Sequence, residues 1–383
     1  MKPTFQPLTT TREERGEEIA KKAGQVRRLD DDHYVVKSQT RNDLLYEVSR
    51  TEIGWKCSCP DHQTRGVECK HIIAVKLSFA MRSQVKANIV LEPVLVTNCP
   101  ACGSKMIKKA GIRRNRSGDI QRYSCEECEK LFSINIGFER MKHNPKAVTA
   151  AMQLYFSGES LRNTQRSLKL LGVEVSHQTI SNWIEKYITL MKNYVEKLNP
   201  NVGETWRADE VYVKVRGNMK YLFALMDDET RFWIAQEVAD SKQRHDACGL
   251  FRNGKELMGK FPGILITDGL HAYHDAFKRE FYSREYPQPR HINAIRITGH
   301  HCEANNNKME RINGEIRDRE KTMRGLKKKD TAILQGMQIF HNYVRPHEAL
   351  NGKTPAEACG IVVEGENKWM TLIQNASQTA KAK

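Results

Sequence analysis

Two aspartates stand where a lone carboxylate is costly. Thr205 to Val215 reads as a β-strand whose odd positions share a face, so Asp209 lies with Val211, Val213 and Val215. A carboxylate on an apolar face must be paired or bound to metal, whereas Glu210, on the opposite face, is under no such requirement. Either an arginine, such as Arg207 or Arg231, or a metal ion would satisfy Asp209. Gly263 to Gly269 is an apolar run that delivers Asp268 to the carboxyl end of a central strand, where open α/β sheets bind ligands; such an Asp can also cap the next helix. Asp227, Asp228 and Glu229 lie between the strand-like runs Tyr221 to Met226 and Phe232 to Val238 and read as turn residues. Glu303 and Glu310 both follow the apolar run Ile292 to Ile297. Glu303 falls in a loop. Glu310 follows the helix-start signal Asn305-Asn306-Asn307 and shares a helix face with Gly314, Arg317, Lys321 and Arg324. Three such carboxylates suit two Mg²⁺ or Mn²⁺ ions and an in-line phosphoryl displacement.

A second chemistry resides in sulfur. Cys57-x-Cys59, nine residues, then Cys69-x-His71 supplies four ligands for tetrahedral Zn²⁺, with His62 as an alternative to His71. Cys99-x-x-Cys102 and Cys125-x-x-Cys128, twenty-two residues apart, supply four thiolates for a second Zn²⁺. Arg113, Arg114, Arg116 and Arg122 between these knuckles suit phosphates, or form a solvated loop on a structural ribbon. Seven of the ten cysteines precede residue 130, a usage that fits metal ligation in a reducing compartment.

The elements that must position these groups follow from periodicity. Strand-like Tyr34 to Lys37 and Leu44 to Val48 precede the first cysteine cluster. The second cluster spans hairpins too small for a core of their own. Residues 145 to 198 read as helices: Val148, Ala151, Met152 and Tyr155 recur at helical spacing before Gly158, and a second helix runs from Ser160 to Leu171. A third is N-capped by Ser176 and carries the core stripe Ile180, Trp183, Ile184, Tyr187 and Ile188. That stripe leaves Gln178, Thr179, Asn182 and Lys186 nearer the exposed side, a set able to read a major groove, although any three-helix bundle shows such a face. Strands with intervening helices occupy Thr205 to Ile297, and helices return from Asn305 to Gly360. The 62 Lys and Arg against 46 Asp and Glu give a net charge of +16, which points to a polyanionic partner. The absence of a long apolar run, and the polar stretch Met1 to Glu18, lead us to expect a cytoplasmic, nucleoid-associated protein. No P-loop lysine motif is present.

Residues 34 to 81 resemble the SWIM zinc finger. The order strand Asp, strand-end Asp, helix Glu resembles the DDE transposases of prokaryotic insertion sequences, which have a ribonuclease H-like, integrase-type core. The stretches Asn307 to Gly314, Arg324 to Lys327, His341 to His347 and Gly352 to Pro355 are similar to that family as well. Glu310 stands in the matching motif, yet forty-one residues separate it from Asp268, more than is usual there; Glu303 leaves thirty-four. Local motif favours Glu310 and gap length Glu303, with a loop insertion at Tyr282 to Pro289 able to lengthen the gap.

The expected chain is therefore multidomain: two small zinc-binding β-rich modules, an all-α helix-turn-helix region and an α/β ribonuclease H-like catalytic core. Expected bounds are 30–85 for the SWIM-type finger, 95–137 for the zinc ribbon, 145–198 for the helix-turn-helix region, 203–360 for the core and 361–383 for a loose tail. The resemblance implies cleavage and strand transfer at element ends with Asp209, Asp268 and Glu310 on two Mg²⁺ or Mn²⁺ ions, besides two Zn²⁺. Gln178, Thr179, Asn182, Lys186, Arg311, Arg317, Lys321 and Arg324 would hold DNA, both the inverted-repeat ends and the target, within a homodimer or larger homo-oligomer. A zinc-dependent regulator with a remnant core, and a metal-dependent nuclease that cuts without joining, are the competing readings.

Overall fold

The computed structural model describes residues 11–381 except 23, 30–31, 42–43, 52–53, 84–88, 95–97, 116–117, 134–136, 140, 283–287, 295–305, 324–325 and 329–330. In chain order the elements are α1 (Arg12–Lys21), β1 (Val26–Arg28), β2 (His33–Lys37), β3 (Leu45–Thr51), β4 (Gly54–Cys57), α2 (Pro60–Arg65), α3 (Lys70–Ser83), β5 (Ile89–Leu91), β6 (Ile107–Asn115), β7 (Gly118–Cys125) and β8 (Leu131–Ser133). Then follow α4 (Pro145–Phe156), α5 (Leu161–Leu170), α6 (His177–Val195), β9 (Thr205–Val215), β10 (Asn218–Asp227), β11 (Trp233–Ala239), α7 (Arg244–Met258), β12 (Ile264–Thr267), α8 (His271–Glu280), β13 (Arg290–Asn293), α9 (Asn307–Met323), α10 (Ala332–Ile339), α11 (Pro355–Ala358), β14 (Ile361–Val363) and α12 (Lys368–Lys381). They form two compact units, one of Met1–Lys86, Asn201–Tyr212 and Lys220–Gly314, the other of Ala87–Pro200, Val213–Met219 and Glu315–Lys383. Among the described residues, no helix is long and apolar enough to cross a membrane.

The first unit contains two sheets. Strands β1 to β4 pair in sequence order, all antiparallel, and their apolar side chains share a core with α1 and α3 that includes Ile19, Val36, Val48, Ile72 and Val75. The larger sheet has the order β11-β10-β9-β12-β13: the first strands form an antiparallel meander, and β12 pairs in parallel with both β9 and β13. This is the α/β sheet expected of a ribonuclease H-like core. Every residue of β12 is buried, as its continuous apolar run predicts for a central strand. Leu29 and Val35 of the small sheet's strands and their connection join Ile264, Ile266 and Ile292 of the large sheet in one cluster, and the Thr205 hydroxyl donates to the Arg28 carbonyl.

The acids between β10 and β11 are more than turn residues. Asp227 accepts from the amides of Gly203 at 2.9 Å and Thr230 at 2.8 Å. Asp228 pairs with Arg207 and with Lys308, the latter at 2.9 Å, and all three side chains are buried. Arg207, one of the arginines considered for Asp209, is thus engaged with Asp228.

The second unit holds a three-stranded antiparallel sheet, β6-β7-β8, and a helical cluster. Helices α4, α5 and α6 start at Asn144, Ser160 and Ser176, whose side chains each accept a backbone N–H of the first turn. The stripe Ile180, Trp183, Ile184, Tyr187 and Ile188 is buried.

One expectation is corrected. Residues 361–381 do not form the loose tail expected of 361–383, because β14 pairs in parallel with β5 and α12 buries Trp369, Leu372, Ile373 and Ala376. The Trp369 ring stacks on Phe156 and Phe340, and its indole N–H donates to Gln153 Oε1 at 2.9 Å. The span expected as the core, 203–360, has residues in both compact units, 203–212 and 220–314 in the first and 213–219 and 315–360 in the second. The reason is packing: α10 presents Gly336 to Phe156 and Ile188 so closely that a Cβ would collide with the Phe156 ring.

Candidate active site

The β9 strand carries Asp209 into a cluster with Glu210 and Asp268, in which carboxylate oxygens from all three lie within 4.8 Å of one another. Asp268 sits just past the end of β12, exposed, and accepts from the Leu270 amide at 3.1 Å, so it caps the following turn while its carboxylate faces the cluster. Asp209 accepts from the Glu210 amide at 3.0 Å and from Asn313 Nδ2 at 2.9 Å. Burial, with Glu210, Asp268 and, more weakly, Glu310 nearby, pushes the Asp209 acid up to about 7. Burial and Glu210 raise Asp268 as well. Negative charge is thus concentrated in a partly desolvated place, and hard oxygen donors so arranged fit a divalent cation such as Mg²⁺.

Glu310 lies in the first turn of α9, exposed, and bears on Asp209 electrostatically without joining the close trio. The same helix supplies Asn313, one turn later, and Lys308, anchored on Asp228. Its apolar stripe Met309, Ile312 and Ile316 is buried, which fixes the face presented to β9. Glu303 lies outside the described residues.

Glu210 departs from the parity expectation. Its side chain is only 4% exposed, and its oxygens accept from Lys242 Nζ at 2.6 Å and from the Tyr273 hydroxyl at 2.8 Å. Alternation fails because the first half of β9 is buried on both faces; only from Tyr212 do exposed positions alternate with buried ones. The run Thr205-Trp206-Arg207-Ala208 alternates polar with apolar residues, so the sequence carries no sign of that change. Lys242, Tyr273 and Asn313 carry no local signal, since each comes from a distant segment.

The sulfur clusters assemble as their spacing predicts. Sulfurs of Cys57, Cys59 and Cys69 and a ring nitrogen of His71 lie within 4.8 Å of one another, all buried. His71 Nδ1 is 3.9 Å from both Cys57 Sγ and Cys69 Sγ. His62 instead places Nδ1 2.8 Å from the Val67 carbonyl. Buried sulfur this crowded calls for a soft cation, and the set fits Zn²⁺. Cys99, Cys102, Cys125 and Cys128 form the second cluster, with Sγ pairs at 3.6 Å and 3.4 Å.

Of the residues expected to contact DNA, Gln178, Asn182 and Lys186 are exposed on α6 and Thr179 is half-buried. Gln178 donates to Asn182 at 3.0 Å. Arg311, Arg317 and Lys321 are exposed on α9, Lys321 pairing with Asp318 at 3.1 Å; Arg324 lies outside the described residues. Arg319 of the same helix is buried, stacked 3.8 Å over the Tyr155 ring and donating to the Glu159 carbonyl.

Residues 203–347 match the model of the DDE domain, and residues 46–80 that of the SWIM zinc finger. The chain is similar to the transposase for insertion sequence-like element IS431mec of Staphylococcus aureus, 27% identical over 135 residues that make up 34% of this chain and 58% of the relative. It is also similar to the insertion element ISM1 uncharacterized 48.3 kDa protein of Methanobrevibacter smithii, 29% identical over 148 residues, 34% of this chain and 35% of that one. The chain thus spans little more than half the length of the first of these relatives. The HTLV-2 integrase catalytic core domain in complex with magnesium aligns over 42% of this chain and 98% of its own, at 18% identity and a TM-score of 0.31.

Proposed function

From the match of residues 203–347 to the DDE domain, we propose that this protein is a DNA transposase that cleaves the ends of a mobile element and joins them to target DNA at one carboxylate site. The observation that carries this reading is the convergence of Asp209, from the middle of a sheet, and Asp268, from the end of the adjacent parallel strand, with α9 brought to them through Asn313. Asp209, Asp268 and Glu310 are the ligands we assign to two Mg²⁺ or Mn²⁺ ions. Bound there, the ions would activate the attacking oxygen and stabilise the leaving one in an in-line displacement. Asn313 and Lys308 hold α9 against the sheet, and the exposed Glu310 lies between them in the helix. Glu310 rather than Glu303 is favoured by its place on the helix that touches Asp209.

The remaining assignments follow from surface chemistry. The helices Pro145–Phe156, Leu161–Leu170 and His177–Val195 act as a helix-turn-helix region that presents Gln178, Thr179, Asn182 and Lys186 to the inverted-repeat ends. Arg311, Arg317, Lys321 and Arg324 hold phosphates near the cleavage site. Two Zn²⁺ ions occupy the clusters at Cys57, Cys59, Cys69, His71 and at Cys99, Cys102, Cys125, Cys128. The protein works in the cytoplasm on the nucleoid, as a homodimer or larger homo-oligomer.

The test is Asp209→Asn. The variant is expected to bind end DNA with nearly wild-type affinity while losing both Mg²⁺-dependent cleavage and joining. Strand transfer at the wild-type rate would remove the assignment; wild-type cleavage without joining would make the protein a nuclease.

A further inference from the structure

Three residues beyond Asp209 on β9, Tyr212 leaves 48% of its surface open. Its ring centroid is 4.8 Å from that of Tyr221 on β10, with the planes inclined at 47°. The ammonium of Lys242 stands 5.0 Å from both centroids and donates to Glu210 at 2.6 Å. A cross-strand aromatic pair by itself is explained by hairpin stability. That explanation leaves two things over: Tyr212 stays open to solvent, with Tyr221 half-buried, on the Glu210 side of the carboxylates, and the cation over the pair is tethered by a buried carboxylate rather than floating. Glu210 is itself held by Tyr273, so the tether is rigid at both oxygens. Lys242 offsets the charge of Glu210 next to the rings, which lets a phosphodiester approach there against less repulsion.

We propose that Tyr212, Tyr221 and Lys242 form a stacking platform for one unpaired nucleobase of the DNA strand beside the scissile phosphate. Three strand residues span about 10 Å, so the platform lies within a few nucleotides of Asp209. Base faces are hidden within a duplex, and only a splayed or single-stranded nucleotide can offer one. Every base has such a face, so the subsite tolerates any sequence and complements readout by a groove-binding helix. The platform's role would be to hold the opened strand in register at the carboxylates.

The inference rests on the reading of the chain as a DNA transposase, and the experiment separates the two. Full-length protein is irradiated with an oligothymidylate strand carrying 5-iodouracil, and crosslinked peptides are mapped by mass spectrometry. The affinities of the same strand and of a blunt duplex are measured for the wild type, Tyr212→Ala and Tyr212→Phe. Crosslinks are expected at Tyr212 or Tyr221. Tyr212→Ala should weaken the single strand roughly 5- to 100-fold and leave the duplex unchanged, while Tyr212→Phe should bind nearly as the wild type does. An abasic nucleotide at the crosslinked position should weaken the wild type and not Tyr212→Ala. Crosslinks confined to other segments, or equal single-strand affinity for wild type and Tyr212→Ala, would overturn the platform while Asp209-dependent cleavage still supports the transposase. A wild-type protein that binds neither probe would overturn both.

Discussion

Asn313 donates from Nδ2 to Asp209 Oδ2 at 2.9 Å, joining the first turns of α9 to the middle of β9. It uses one oxygen of Asp209, leaves the other near the Glu210 amide, and brings the helix face that bears Glu310 toward the carboxylates. Asn313→Leu should therefore lower the rate of DNA cleavage by about tenfold or more at saturating DNA and raise the Mg²⁺ concentration needed, as loss of a ligand's orienting partner does. Glu310→Gln should abolish cleavage, whereas Glu303→Gln should not; the reverse result would transfer the third ligand to Glu303.

Asp228 is buried between Arg207 and Lys308, and Arg207 is itself fully buried. Removing one charge from such a set leaves the others uncompensated. Asp228→Asn should cost about 3–5 kcal/mol in denaturant unfolding. Because Lys308 begins α9, the loss should appear in the catalytic unit, and an unchanged midpoint would mean that the pair contributes nothing to folding.

Metal analysis of the intact protein should find two Zn²⁺ per chain, falling to one in Cys59→Ser. Leu29 and Val35 pack in one cluster with Ile264 and Ile266, so loss of the first zinc should loosen the catalytic sheet as well. Hydrogen exchange at the amides of Ile264 to Thr267 should speed up on chelation. Protection unaltered there would show that the finger folds and unfolds alone.

Two histidines make stability depend on acid. Burial, with His274 beside it, pushes His291 down to about 4; burial, with His341 beside it, does the same to His347. Each stays neutral in the folded chain while the unfolded chain takes up a proton below about 6.5. The unfolded state then binds more protons between these values, so the stabilisation is complete above about 6.5 and is lost as pH falls toward 4. His291→Gln, which can keep a hydrogen bond to Thr267, should lose less stability than the wild type between pH 7 and pH 5 in thermal melts.

Gly336 is where α10 meets Phe156 and Ile188. Gly336→Ala improves helix propensity and still should destabilise, by about 1–3 kcal/mol, because the Cβ has no space. A raised melting temperature would mean that the Phe156 ring yields without penalty.

Local sequence determined whatever depends on short spacing. The cysteine pairs specified both sulfur clusters, as a few intervening residues leave a chain little freedom in where its ligands meet. The cap at Ser176 and the stripe from Ile180 to Ile188 specified their helix, and the apolar run before Asp268 specified a central strand. What the tertiary structure alone decided are the features that compare distant segments. Strand parity set Glu210 aside because it assumes one solvated face, and burial of both faces in the first half of β9 makes that assumption fail. Distant segments bring Lys242 and Tyr273 to Glu210, and α9 brings Asn313 to Asp209 across 104 positions of sequence. The polar composition of the C-terminal segment suggested a free tail. Burial of Trp369 against Phe156 and Phe340 is a property of three helical surfaces together, and no window of sequence contains it.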